Sequence, residues 1–177
     1  MVSSLTFYNV SFGYESAAAP LFVGVSFGLL PGWTGVIGAN GAGKTTLLRL
    51  ACRELLPQRG TIRAPDHVVY CVQRTDDPPP ELGAFLASWD GVSFGIRRDL
   101  EIGDDWLTRW DTLSHGERKR AQIGVALWQE PDLLALDEPF LRRLTCFRWV
   151  IERDAGAGAG RAFRLRQGGV GEEGRGR

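Results

Sequence analysis

Residues 38–46 read GANGAGKTT. Gly38, Gly43, Lys44 and Thr45 fall on the phosphate-cradling pattern G-x-x-x-x-G-K-[ST]. The chemistry follows from the residue types. Gly41 and Gly43 permit turns that turn successive backbone N–H groups toward an anion. Asn40 and Ala42 complete the loop and count with the phosphate-binding residues. A helix opening at Lys44 adds free N–H groups and the positive end of its dipole. The Lys44 amine reaches β- and γ-phosphates, the Thr45 hydroxyl suits Mg2+, and Thr46 meets an α-phosphate.

A second chemical element is Asp137-Glu138, directly after the apolar run LLAL at 133–136. Open α/β sheets place ligands at the carboxyl ends of their strands. Asp137 there suits a water-mediated contact to the Mg2+ beside Thr45, and Glu138 suits polarisation of an attacking water. Alone, Asp-Glu before Pro139 reads equally as a turn or a helix start; the upstream loop makes it a hydrolytic pair.

The third element is LSHGE at 113–117. Ser114 and Glu117 have the spacing of a capping box. The helix start they mark, with Ser114, His115, Gly116 and Glu117, is also an anion site. His115 by itself reads as a solvated polar residue, and Arg118-Lys119-Arg120 reads as a solvated face.

These elements need a scaffold. Residues 5–12 and 21–30 are rich in aromatic and β-branched residues and predict two antiparallel strands. A short strand over 34–37 should deliver the Gly-rich loop. A helix over 44–56 should follow, packed through Leu47, Leu48, Leu50, Ala51 and Leu55 and ended by Pro57 and Gly60. VVYCV at 68–72 reads as a strand and 75–81 as a loop. Helices are expected near 82–89 and over 115–129. Leu133–Leu136 reads as a strand buried on both faces of a parallel sheet. The fold class is α/β.

The composition is that of a globular chain of 177 residues with formal net charge zero, unevenly spread. Residues 1–139 carry 12 basic and 17 acidic side chains, and residues 140–177 carry 9 and 4. The three cysteines, Cys52, Cys71 and Cys146, have wide spacings. They argue against a disulfide framework and for a reducing, cytoplasmic setting. No secretory signal is expected at the N-terminus. The most apolar stretch, 17–33, is interrupted by Pro20, Gly24, Gly28, Pro31 and Gly32 and makes a poor membrane span.

Taken in order, the three elements resemble the ATP-binding cassette (ABC) ATPases, over residues 5–139. That resemblance implies a P-loop NTPase core with a parallel sheet, an N-terminal antiparallel β subdomain, and a small helical subdomain carrying the signature motif. It implies ATP and Mg2+ as ligands. Tyr14 is similar to the aromatic residue that stacks on adenine. Gln73 is similar to the Q-loop glutamine that senses Mg2+ and the γ-phosphate. LSHGE is similar to the LSGGQ signature, with His115 for Gly and Glu117 for Gln. The metal set becomes Thr45, Gln73 and Asp137, and the catalytic residue Glu138. The resemblance also implies pairing with a second cassette, in a homodimer or on another chain, because the signature of one covers ATP held by the other. The short interval from Lys44 to Gln73 is most similar to soluble F-type cassettes, many of which act on ribosomes; a transporter subunit is the other partner class.

The sequence departs from the family after Pro139. A polar turn and an Asp-containing D-loop should follow, and a histidine should come about thirty residues later. Instead residues 140–144 read FLRRL, and the histidines are His67 and His115, both upstream. Residues 140–151 suggest a short helix, and the Gly/Ala/Arg-rich chain from Asp154 predicts disorder. The expected organisation is a C-terminally incomplete cassette over 1–139 and a divergent tail over 140–177. The tail reads as a frame-shifted continuation or a basic arm for RNA. The matching function classes are an ATPase, a nucleotide-binding interaction protein without turnover, and a non-functional fragment.

Overall fold

The computed structural model describes residues 4–32 and 34–137. Its first layer is an antiparallel sheet of order β2-β1-β3, with β1 at Leu5–Phe12, β2 at Phe22–Leu29 and β3 at Arg59–Arg63. In β1 the buried side chains are Leu5 and Phe7, then Val10 and Phe12. That change of parity comes from a register shift at Asn9, whose φ is 50°. The bulge lets one strand bury both halves of its apolar set. Phe7 faces Phe27 across the ladder with rings stacked at 4.5 Å. Gly60 in β3 has φ +84°, and a side chain there would run into the carbonyls of Tyr8 and Asn9. Sequence reading missed β3: RGTIR offers one apolar residue, Ile62, and Gly60 read as a helix end.

Helix α1 spans Lys44–Ala51, five residues short of the expected end at 56. Arg53 turns left-handed at φ 62°, with its guanidinium donating to the Ala64 carbonyl at 2.8 Å. The N–H groups of Glu54 and Leu55 fold back onto the Arg49 carbonyl. Leu50 and Ala51 pack under the first sheet with Leu5, Phe7, Val10 and Phe12.

The second sheet pairs β4 (Val68–Cys71) with β5 (Leu133–Leu136) in parallel, from Val68 opposite Leu133 to Cys71 opposite Leu136. Leu133 packs on the first core, whereas Leu134 and Leu136 pack on a second. Both faces of β5 are thus in use, yet only Ala135 is fully buried, a correction to the expected continuous burial. Among the described residues this sheet has two strands.

The second core belongs to a helical unit between those strands. Helices α2 (Leu82–Ala87), α3 (Gly91–Asp99) and α4 (His115–Trp128), with a 3₁₀ turn at Trp110–Thr112, enclose Leu82, Phe85, Ile96, Trp106, Trp110 and Ile123. Helix α2 ends two residues before the expected 89. Helix α3 was not foreseen; its start is fixed by Asp90, which accepts from the Ser93 N–H at 2.7 Å. The buried Arg97 guanidinium ties α3 to the carbonyls of Leu86 and Ser88 and to Asp104.

The expected strand over 34–37 does not form. Residues 34–42 are exposed throughout, with Ile37 at 97%. Apolar β-formers make a strand only when a ladder partner satisfies their backbone, and neither sheet of the described residues extends to them. No described helix is long and apolar enough to cross a membrane.

Candidate functional site

The Gly-rich loop opens α1. Gly41 and Gly43 both adopt left-handed backbone, at φ +81° and +90°. A Cβ at Gly43 would sit 2.9 Å from the side chains of Leu21 and Phe22. Glycine is therefore needed there twice over, for its φ and for the close approach of β2. The Ala42 N–H turns back to the Ala39 carbonyl at 3.2 Å. The Lys44 ammonium donates to the carbonyls of Gly38 and Ala39, at 2.9 Å each. Its charge is thus held over the loop by neutral acceptors, which an incoming anion replaces with a stronger partner.

A cleft of about 400 Å³ lies over this loop, walled by Tyr14, Asn40, Gly41, Gly43, Lys44, Thr45 and Thr46 together with Ala17, Ala19 and Leu21. The Tyr14 hydroxyl shares a 3.0 Å hydrogen bond with Thr46 Oγ1, and its ring meets Phe12 edge-on at 5.1 Å. The Tyr14 side chain is 42% exposed, so a ring face remains open to a ligand. Six of the phosphate-loop residues expected from the sequence, and Tyr14, thus share one cleft. Gly38 and Ala42 lie in the same loop.

Asp137 closes β5 and is 4% exposed. Its N–H donates to the Cys71 carbonyl at 3.0 Å, and Tyr70 donates its hydroxyl to Oδ2 at 2.9 Å. Burial, and then that bond to the carboxylate, push the Tyr70 hydroxyl well above its usual range. Tyr70 therefore stays a donor and orients the carboxylate. Burial likewise raises the Cys71 thiol to about 12 and the Cys52 thiol to about 11. Both of these cysteines are free. Gln73 follows β4 on the exposed chain. Neither Gln73 nor Asp137 is among the residues walling the cleft. Glu138 and the segment 140–177 lie outside the described residues.

The segment 113–117 forms the capping box that the spacing predicts. Ser114 Oγ accepts from the Glu117 N–H at 3.3 Å, and Glu117 Oε2 accepts from the Ser114 N–H at 2.8 Å. The Ser114 hydroxyl also donates to that carboxylate and, with its N–H, holds Glu117 below the usual carboxylate range. His115 is exposed, yet its Nδ1 shares a 3.2 Å hydrogen bond with Thr75 Oγ1. The solvated face expected at Arg118-Lys119-Arg120 is not one. Arg118 bonds the carbonyls of Trp110 and Asp111, and Arg120 pairs with Glu101 at 2.8 Å. Lys119 is fully buried, donating to the carbonyls of Val72 at 2.7 Å and Asp137 at 3.2 Å. A helical stripe Lys119-Ile123-Leu127 would have revealed it, because residues four apart share a face.

The donor chemistry fits a magnesium nucleotide. Left-handed glycines and a helix start present N–H groups to phosphates. Thr45 offers a hydroxyl in the cleft, and the Asp137 carboxylate lies outside the residues that wall it; both are hard oxygen donors. Such donors suit Mg2+ that arrives on phosphates rather than in a protein cage. Among the described residues no cluster of three or more His, Cys, Asp or Glu is placed to hold a metal by itself.

Comparison with known proteins points to one family. The profile of the ABC transporter family matches residues 22–141. An aliphatic sulfonates import ATP-binding protein of Granulibacter bethesdensis is 34% identical, over 80% of this chain and 67% of its own length. ATP-binding cassette sub-family F member 2 of Bos taurus is 44% identical, over 34% of this chain and 10% of that protein. In solved structures, an ABC transporter of metal-chelate type in an inward-facing conformation superposes with TM-score 0.58. It shares 24% identity and covers 81% of this chain and 62% of that chain, a likeness of fold.

Proposed function

The chain belongs to the ABC transporter family, and from that premise we propose that it binds Mg2+-ATP and, paired with a second cassette, hydrolyses it to drive a conformational change. The observation that carries this reading is the phosphate loop at the start of α1, with Tyr14 hydrogen-bonded to Thr46 across one cleft. In this reading the adenine stacks on Tyr14. The N–H groups of residues 40–46 take the phosphates, and Lys44 leaves the Gly38 and Ala39 carbonyls for the β- and γ-phosphates. Bound Mg2+ supplies charge neutralisation at those phosphates. Thr45, Gln73 and Asp137 hold it, with Asp137 oriented by Tyr70. Glu138 orients the attacking water. Ser114, His115, Gly116 and Glu117 serve the nucleotide of the partner cassette.

Residues 1–139 form the cassette portion in this reading, and 140–177 a separate segment; the family match ending at residue 141 supports that division. The match spanning 80% of the chain is to an importer's ATP-binding protein, whereas the F-type match spans 34%. That contrast favours a membrane transporter subunit over a ribosome as the further partner, with the chain working at the cytoplasmic side.

A thermal melt with and without excess Mg2+-ATP tests the binding step. A ligand specific for the folded state adds about 2.7 kcal/mol at a hundredfold excess over Kd. A cooperative transition that rises by several degrees is expected; an unmoved transition at saturating nucleotide removes the reading. Glu138→Gln should stop phosphate release and keep binding, and turnover at the parental rate would strip Glu138 of its role.

The second reading is a nucleotide-binding interaction protein without turnover. The residues FLRRL after Pro139, and the absence of any histidine after His115, favour it. Steady-state phosphate release at saturating ATP, with the second cassette present, decides between the two.

A further inference from the structure

Lys119 is the one lysine with no exposed surface, and the nucleotide reading gives it no role. Burying an ammonium costs several kcal/mol unless close partners replace its water. Here the partners are the carboxyl ends of two parallel strands. The Val72 carbonyl immediately precedes Gln73, and the Asp137 carbonyl belongs to the carboxylate residue itself. Asp137 is consequently held at three points: its N–H by Cys71, its carbonyl by Lys119 and its carboxylate by Tyr70. Gln73 is bracketed in the same way. Lys119 holds Val72 on one side, while His115 and Arg118, from the same helix, hold Thr75 on the other. Helix α4 is thus hydrogen-bonded to both strand ends.

We propose that Lys119 is a positioning residue that locks the Gln73 and Asp137 strand ends to the signature helix, so that Mg2+-dependent nucleotide binding depends on it. This inference rests on the Mg2+-ATP reading above. Lys119 touches neither metal nor nucleotide in it; it acts through the backbone of two residues that do. The ammonium fixes the separation of the two strand ends. Ser114 caps the same helix, five residues before Lys119.

The test is calorimetric titration of the full chain with ATP, in Mg2+ and in EDTA. Lys119→Met keeps the volume and removes the charge. The expected result is unchanged affinity in EDTA and a Mg2+ enhancement reduced about tenfold or more, the usual cost of removing a group that orients a metal ligand. In an Asp137→Asn background, Lys119→Met should remove less of the Mg2+ enhancement than it does in the parental chain, because only the Gln73 strand end is then left to displace. A purely structural lysine would lower the melting temperature and leave the Mg2+ enhancement intact. That outcome, or an equal loss in Mg2+ and EDTA, overturns the proposal. Should Lys119→Met give no cooperative melt, Lys119→Gln carries the same comparison, since its amide still donates to one carbonyl. A parental chain that binds no Mg2+-ATP overturns the reading beneath the proposal and is distinguishable, because it needs no variant.

Discussion

The start of α4 and the approach to α1 are both expected anion sites, yet they are held in opposite ways. At α4 the contacts come from the surrounding helical unit and the adjoining strand ends: Glu117 onto Ser114, His115 onto Thr75, Lys119 onto Val72 and Asp137. Along 34–42 every residue is exposed, and Lys44 is satisfied by carbonyls of its own loop. A helix start is completed by local side chains. A loop hung on a strand takes its rigidity from a ladder, and that ladder is not formed by the described strands. The first site is set before any ligand arrives, whereas the second is to be set by the ligand.

Four measurements would sharpen or break that contrast. The largest effect is expected for Lys44→Ala, which should lose the Mg2+-ATP stabilisation altogether; a retained thermal shift would detach the loop from nucleotide binding. Next, Gly43→Ala forces a side chain into left-handed backbone against Leu21 and Phe22. It should cost about 1–3 kcal/mol in urea denaturation, so a neutral result would mean that β2 yields freely. Ser114→Ala should cost about 1 kcal/mol at neutral pH. Glu117 has a depressed folded-state pKa, so its part of that cost is present above the usual carboxylate range and fades as pH falls through the folded value. A pH-independent cost would place the cap in the Ser114 hydroxyl alone. The smallest effect is expected for Tyr14→Phe. Its affinity for tripolyphosphate, which has no base to stack, should fall by about 0.5–1.5 kcal/mol. An unchanged affinity would confine Tyr14 to its ring.

Much of this was legible from residue order. GANGAGKTT runs into the start of α1, LSHGE opens α4 and Asp137 follows β5, as their chemistry demands, although the strand expected before the Gly-rich loop does not form; the apolar runs of β1, β2, β4 and β5 mark strands without help. What escaped has physical reasons. Strand β3 carries one apolar side chain and a glycine, because it lies at the sheet edge beside a bulge. The ladder for 34–37 is a matter of neighbours, which a local pattern does not encode. Lys119 stands in a run of three basic residues, and charge suggested solvent. Only its phase with Ile123 and Leu127 shows that the middle one points inward.

The parallel pairing of Val68 with Leu133 also bears on the order of assembly. The chain between those residues is the helical unit, whose α2–α4 and α3–α4 contacts span shorter stretches of sequence than the β4–β5 ladder. Closing a loop of that length costs entropy before the ladder repays it. The expectation is that the helical unit compacts first and carries β5 to β4. On that order the two strand ends should meet last, and Lys119 should find its carbonyls only then. In a refolding experiment, protection of the Asp137 amide should trail that of α4, so that the parts aimed at chemistry are the slowest to arrive.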